Sequence, residues 1–575
     1  MQTKYAKNVD LNCPLNEYPR PQLKRDNWLC LNGPWDCAFT DAPEQPASYD
    51  KKIIVPFSPE TELSGVGRSL KPDEYLWYRR TVELPSGTRD KRFLLHFGAV
   101  DQIAAVYVNG SLTGVHMGGY TSFEIDITSF IIAGTNEIVV MVSDETDRSW
   151  QSRGKQKTNK GGIFYTPQSG IWQTVWLEAV PQTYIKNLRI LPLFDQGSLS
   201  VTINTNNPCT VQIGAMGVTA KGDSGKTVIL KLPESWQAWS PENPKLYDLY
   251  AKAGDDEIAS YFGMRKFAVD TDENGVKRLF LNGKPYFHTG VLDQGYYADT
   301  LLTPPCDQAM EDDLRLMKDM GFNCIRKHIK QEPLRWYYHC DKLGLLVWQD
   351  MVNGGGPLKN LTALVPAVFA EFSLNDSNYS LFSRESEEGR KQYYRELGEM
   401  LDTLYNCPCI AMWVPFNEGW GQFDSAKAVE FIKERDTSRT IDHASGWHDQ
   451  HIGDIKSLHI YRRPYKFKKD RLGRAVLLTE FGGYTYRVPD HFWSEKTFGY
   501  HGCENSQALL DDFTRLYENE IIAQKPLGLA ASIYTQLSDV EEEDNGLITF
   551  DREVVKLPVE AVRALNDKLK DHPQQ

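Results

Sequence analysis

The chain has 575 residues, 41% hydrophobic and 25% charged, with no apolar run near the 18 or so residues a helical membrane span needs, which excludes an integral helical membrane protein and a disordered one. Its 64 Lys and Arg against 77 Asp and Glu give a net charge of −13, a field that repels phosphate backbones and anionic lipid, so neither nucleic acid nor a membrane is an expected partner. At roughly 150 residues per domain the length calls for several domains. The 14 Trp, 28 Tyr and 25 Phe suit β-sheet packing and also offer flat faces to sugar rings. The ten Cys are scattered, and Cys407-Pro-Cys409 is too close for an ordinary metal knuckle, so free thiols in a reducing compartment are expected. Met1 to Pro14 mixes Lys4, Lys7 and Asp10 with no apolar stretch, so no signal peptide is visible and the cytoplasm is the expected location.

Residues 1–181 read as short alternating strands, among them Arg92 to Phe97, Ala104 to Val108 and Glu137 to Val142, with Asn109-Gly110 as a hairpin signal. That spacing predicts a β-sandwich. Residues 182–270 hold a second β stretch, with Val201-Thr202-Ile203, Val228-Ile229-Leu230 and Tyr247 to Ala251, the size of an immunoglobulin-like sandwich. From residue 271 to 575 apolar runs alternate with amphipathic helices such as Asp307 to Met320, Glu388 to Leu404, Ala426 to Arg435 and Gln507 to Ile522. Eight runs are visible: His288 to Leu292, Cys324 to Ile329, Leu345 to Trp348, Ile410 to Phe416, Thr440 to Ala444, Lys456 to Ile460, Val476 to Thr479 and Ala530 to Thr535. Eight parallel strands in about 300 residues predict a (β/α)8 barrel, and the glycine fingerprint of a dinucleotide fold is absent.

Functional side chains of such barrels stand at the C-terminal strand ends. Two of these ends carry glutamates, Asn417-Glu418-Gly419 after run four and Thr479-Glu480-Phe481-Gly482-Gly483 after run seven. A carboxylate directly after an apolar strand is costly to bury unless the site needs it. Strands four and seven face each other across an eight-stranded ring, which is the arrangement a two-carboxylate glycosidase requires, one carboxyl protonating the leaving oxygen and the other attacking the anomeric carbon. Glu480 precedes a Gly-Gly turn with room for a sugar and for N–H donors, suiting an ionised nucleophile. Glu418 stands among Trp413, Phe416 and Trp420, apolar bulk that would raise a carboxyl pKa and suit an acid.

The chain resembles glycoside hydrolase family 2 along nearly its whole length. The likeness lies in Tyr18-Pro19-Arg20-Pro21, Leu31 to Trp35, Gly170 to Glu178, Phe262 to Phe267, the Asn417-Glu418 pair and Thr479 to Gly483. It implies a sugar-binding jelly roll, an immunoglobulin-like sandwich and a catalytic barrel, with Glu418 as acid/base, Glu480 as nucleophile, Asn417 on the sugar 2-hydroxyl and Tyr461 donating to the nucleophile. His328, His459, Asp293 and Asp350 are strand-end candidates for sugar hydroxyls, and Trp420, Trp447, Tyr534 and Gln536 for an aromatic and polar wall. The 352–390 segment, with Gly354-Gly355-Gly356, Pro357 and Pro366, is expected to shape the pocket. No His and carboxylate cluster with metal spacing is visible, so no metal site is assigned and no cofactor is required, although the resemblance allows a divalent cation beside the acid/base, as in some relatives. The resemblance and the exposed faces of two sandwiches point to a homodimer.

The reading is a retaining exo-β-glycosidase hydrolysing terminal neutral sugars of an oligosaccharide or glycoside, a β-galactosidase first. Glucuronidases of the family supply an Asn and Lys pair after strand eight, where Glu541-Glu542-Glu543-Asp544-Asn545-Gly546 holds four acids and no base, although Lys327, Lys330 and Arg487 lie near strand ends. Alternatives are another activity of the family (β-glucuronidase, β-mannosidase, an α-L-arabinopyranosidase type), a transglycosylase, or a glycan-binding protein without turnover.

Overall fold

The computed structural model describes residues 1–84, 90–368 and 372–570. The first unit packs a four-stranded sheet (Trp28–Cys30, Val175–Pro181, Lys91–Phe97, Phe123–Asp126) on a six-stranded one (Lys51–Val55, Gly33–Thr40, Tyr75–Leu84, Gly134–Ser143, Ile103–Val108, Ser111–Met117). Strand periodicity sends Phe93, Leu95 and Phe97 inward to meet Val106, Val140 and Tyr78. Asn109 and Gly110, both at positive φ (49° and 80°), make the tight turn between Ile103–Val108 and Ser111–Met117 that their sequence announces.

The second unit sets a three-stranded sheet (Ile185–Leu193, Ser198–Thr205, Thr227–Lys231) on a four-stranded one (Val218–Asp223, Thr210–Ala215, Tyr247–Ala253, Asp256–Phe262) around Leu199, Val201, Ile213, Leu230 and Leu249. Buried Arg25 joins the two units, donating to Glu178 at 2.8 Å and to Asp256 at 2.7 Å. Removing one partner would strand a buried charge, worth about 3–5 kcal/mol.

Eight parallel strands follow: β1 His288–Asp293, β2 Cys324–Lys327, β3 Leu346–Asp350, β4 Ile410–Val414, β5 Thr440–Ile441, β6 Ile455–Ile460, β7 Ala475–Gly482 and β8 Leu529–Thr535. The hydrogen-bonded order is β5-β4-β3-β2-β1-β8-β7-β6. Between β5 and β6 the ring is bridged by side chains, Ser445 and Ser457 hydroxyls lying 3.3 Å apart. Every residue of β1 to β4, β7 and β8 is buried, as expected of strands covered on both faces. Helices Asp307–Asp319, Leu334–Leu343, Glu387–Leu404, Ser425–Arg435 and Ser506–Leu516 form the outer layer, and among the described residues none stands between β5 and β6 or between β6 and β7. The 352–390 segment contains a short helix, Asn360–Val368, and its residues 369–371 lie outside the described ones.

A loop of the first sandwich reaches the barrel's C-terminal face. Ser152 bridges Gly354 beyond β3, Gly162 and Thr166 backbone N–H groups donate to Glu542 and Glu541 beyond β8, both at 2.8 Å, and Phe164 packs edge-on against Trp420. The 541–546 acids are therefore not a solvated loop. Glu541, Glu543 and Asp544 are buried where the sandwich loop meets the barrel mouth.

Candidate active site

Glu418 leaves β4 on a tight turn. Its own φ is 52° and that of Gly419 is 69°, the left-handed region where a non-glycine residue is strained, and the turn is held by Glu418 N–H donating to Ser445 O at 2.9 Å. A Cβ at Gly419 would lie 2.2 Å from the His448 ring, so only glycine lets the turn close. Glu480 lies inside β7, and Gly482 after it has φ 85° and the Tyr534 ring 2.3 Å from where a Cβ would be.

The two carboxylates meet at His459. Its Nδ1 lies 2.8 Å from Glu418 Oε1 and 3.5 Å from Glu480 Oε2, and one oxygen of each glutamate and the His459 nitrogen all lie within 4.8 Å of one another. His459 Nε2 faces Arg326 Nη1 at 3.2 Å. A guanidinium only donates, so Nε2 is the acceptor and Nδ1 carries the proton, donating to Glu418. The side chain of Glu418 keeps 23% of its surface exposed against 6% for Glu480, so the former opens toward water and a leaving group while the latter lies at the pocket floor.

Arg326, wholly buried in the middle of β2, organises that floor. It donates to both oxygens of Asp350 (3.0 and 3.1 Å), to Glu480 Oε1 (3.0 Å) and to Asn417 Oδ1 (2.8 Å). Asn417 Oδ1 being the acceptor, its Nδ2 is the donor left for a hydroxyl. Tyr461 donates its hydroxyl to Glu480 Oε2 and stacks at 3.8 Å on Tyr500. Burial pushes the Glu480 carboxyl up, but His459, Arg326, His328 and the Tyr461 hydroxyl outweigh it and bring its pKa from 4.5 down to about 2. The sequence led us to expect backbone donors at the Gly-Gly turn in this role, and side chains fill it instead. Trp413 and Phe416 are also not around Glu418. Trp413 is turned outward by the alternation along β4 and donates to Asp436, and Phe416, past the end of that strand, stacks on Tyr393 of the helix layer.

The remaining expected residues divide. His328, with Nδ1 2.9 Å from Asp350, adjoins Glu480, while Asp350 itself is fully engaged by Arg326 and His328 and so orients them. Asp293 stands apart from the glutamate pair. It accepts from Lys327 and from Gly295 N–H (2.8 Å), with Lys327 also on Glu332, an arrangement that holds its carboxyl low despite burial. Trp447 stands 6.4 Å from the His459 ring, and Trp420 lies under Phe164 and Arg153 as part of the sandwich contact. Tyr534 is a correction. It packs on Phe481, Phe513 and Tyr517 between barrel and helix and belongs to the core, not to the pocket wall. Gln536 sits in a polar network at the β1 and β8 ends, where Gln294 Nε2 donates to Gln536 Oε1 (2.7 Å) and Glu543 Oε2 (2.9 Å), and the Tyr165 hydroxyl of the sandwich loop also donates to Glu543. Arg326, Tyr500, Gln294 and Tyr165 were not among the expected residues. No spacing in the sequence places Tyr165 here, because its position depends on how two domains dock.

Tyr461→Phe tests the electrostatics. Removing the hydroxyl removes one of the groups that hold Glu480 down, so its pKa rises from about 2 toward 4.5 and the acid limb of kcat/KM moves to higher pH. The stability that the depressed carboxyl supplies is present above pH ~4.5 and is lost as pH falls toward about 2, so the variant also loses less on acidification. An unmoved acid limb in a pH-rate profile would exclude this role for Tyr461.

Comparison with known proteins bears on the family and the fold. Residues 68–181 match the model "Glycosyl hydrolases family 2, sugar binding domain" and residues 274–480 match "Glycosyl hydrolases family 2, TIM barrel domain". A Formosa agariphila protein, provisionally named a β-glucuronidase, is 28% identical over 60% of this chain and 39% of its own length. A Thermoanaerobacter pseudethanolicus β-galactosidase is 24% identical over 63% of this chain and 47% of its own. The chain thus spans less than half the length of either relative. A Dictyoglomus thermophilum β-D-glucuronidase structure shares the fold, with a TM-score of 0.72 over 97% of this chain and 99% of that one at 17% identity. An Eisenbergiella tayi β-galacturonidase bound to galacturonate does so at 0.70, over 96% and 99%, at 19% identity.

Proposed function

The chain belongs to glycoside hydrolase family 2, and we propose that it is a retaining exo-β-glycosidase acting on terminal neutral sugars, β-galactosides foremost. The observation that carries the reading is the approach of Glu418 and Glu480 carboxylate oxygens to within 4.8 Å, since a retaining pair stands about 5–5.5 Å apart and an inverting pair about 6.5–9.5 Å. Glu480, ionised and deep, attacks the anomeric carbon while Glu418 gives its proton to the leaving oxygen. Glu418 then takes a proton from the water that displaces Glu480, and His459 Nδ1–H stabilises the carboxylate that Glu418 becomes between the two steps. Asn417 Nδ2 serves the 2-hydroxyl, and Trp447 Nε1, buried without a partner among the described residues, is a further donor.

The preference for a neutral sugar is supported by where the cations are. Arg326 is held by Asp350 and Glu480, Lys327 by Asp293 and Glu332, and Lys330 by Glu332 and two backbone carbonyls. Arg487 stacks on Phe492 and donates Nη1 to Glu495 O at 3.1 Å, so Arg326, Lys327 and Lys330 are engaged while Arg487 keeps Nε and Nη2 without a partner among the described residues. A uronide hydrolase is the second reading, favoured by one residue. Lys155, on the sandwich loop, makes no ion pair among the described residues, and its charge adds to burial in pushing His328 well below its usual pKa.

An aryl β-glycoside panel separates the readings. Fastest turnover of the galactoside, with the β-anomer formed first by NMR, is expected. Faster hydrolysis of the glucuronide or galacturonide overturns the neutral assignment, and Lys155→Met should then abolish that activity while sparing neutral sugars. No turnover on any member would leave a glycan-binding protein.

A further inference from the structure

We propose that His501, Cys503 and Asp512 form a binding site for a thiophilic divalent cation of the zinc type, outside the catalytic centre. One imidazole nitrogen, the thiol sulfur and one carboxylate oxygen of these residues all lie within 4.8 Å of one another. His501 Nε2 is 2.7 Å from Asp512 Oδ2, and Cys503 Sγ is 3.8 Å from the same oxygen. The local backbone produces this convergence. His501 and Cys503 are two apart on an extended segment, so their side chains leave on the same face, and the Cys503 N–H donates to Thr485 O at 2.8 Å. Asp512 comes from the second turn of helix Ser506–Leu516, which the Asn505 side chain caps at its start by accepting from Ala508 N–H at 2.9 Å.

The chemistry of the donors selects the ion. A thiolate, an imidazole and a carboxylate suit zinc and its soft neighbours, whereas calcium and magnesium take oxygen alone. Zinc bonds of about 2.0–2.3 Å hold tetrahedral ligand atoms roughly 3.3–3.7 Å apart, so the three donors need to shift by about 1 Å or less. The thiolate and Asp512 balance a dication, and the thiol proton is released to solvent on binding. Arg515 Nη1 donates to the other Asp512 oxygen at 2.9 Å and steadies the carboxylate, and the Tyr484 ring lies 4.7 Å from that of His501. The half-exposed His501 leaves a fourth position open to water.

An ion here would act on the catalytic pocket through one residue. Tyr500 directly precedes His501, its N–H donates to Gly483 O at 3.1 Å, and its ring stacks on Tyr461, the donor to Glu480. Tying His501 and Cys503 to helix Ser506–Leu516 pins the segment that backs Tyr461. We therefore expect occupancy to raise Tm and to tighten KM with little change in kcat.

The test uses the full chain, stripped with a chelator and titrated with zinc chloride and, in parallel, with cobalt(II) chloride. One tightly bound zinc per chain and a cobalt-thiolate charge-transfer band are expected, both lost in Cys503→Ser and weakened at least tenfold in His501→Gln, with circular dichroism showing each variant folded. Glu418, His459 and Glu480 also lie within 4.8 Å of one another, so an ion held there is the competing outcome. It would survive Cys503→Ser, give no thiolate band and block turnover, and that result overturns the proposal. So does the absence of stoichiometric zinc.

Discussion

Glu480→Ala lowers kcat/KM on aryl β-glycosides by about 10⁴-fold or more, the largest loss expected of any single substitution. The carboxylate is the one group on the pocket floor able to form a bond to the anomeric carbon, and its ionisation is secured by Arg326 at 3.0 Å and the Tyr461 hydroxyl. The loss is chemical and not structural. Arg326 keeps both oxygens of Asp350, so no buried charge is stranded, and the melting temperature should move by only a few degrees. Azide at high concentration occupies the vacated space and attacks from the face Glu480 used, so the rescued product is an α-glycosyl azide, of inverted configuration. Wild-type turnover in the variant, or an azide product of retained configuration, would remove Glu480 from the nucleophile's place.

Barrel and site were legible in the sequence to different depths. Continuous apolar runs announce buried parallel strands, and all eight fall within a few residues of the observed ones, six of them strands with no polar face to blur the signal and only β5 and β6 partly exposed. The glutamates were found by asking why an acid should follow a core strand. The same question, put to Cys324-Ile325-Arg326-Lys327, would have found Arg326, since a cation inside an apolar strand must also be paired. Tyr534 was misplaced for the opposite reason. Proximity to a strand end says nothing about which face a side chain takes, and one residue of register separates the pocket from the helix layer. The roles of Asp293 and Asp350 could not be separated in sequence, because the difference lies in their partners, Lys327 for one and the Arg326 and His328 pair for the other. The sandwich loop gave no signal at all. Tyr165 and Phe164 sit 129 to 378 residues before the strand ends they contact, and local pattern carries no information about docking between domains.

Glu418→Ala separates the two chemical steps. With a substrate such as a disaccharide the leaving oxygen needs a proton, and losing the acid costs about 10²–10⁴-fold. A dinitrophenyl glycoside leaves without help, so glycosylation of Glu480 stays fast, but no base remains to activate water and the covalent intermediate accumulates. The expected record is a burst of one dinitrophenolate per chain followed by slow turnover. Azide, which needs no base, then accelerates the second step and gives a β-glycosyl azide of retained configuration, the opposite of the Glu480→Ala product. His459 sharpens the expectation, because its Nδ1–H loses its 2.8 Å acceptor in the variant and turns to Glu480 Oε2, already 3.5 Å away, which weakens the nucleophile modestly and makes the burst slower than in wild type. A loss of the same size for good and poor leaving groups, with no burst, would show that Glu418 transfers no proton in either step.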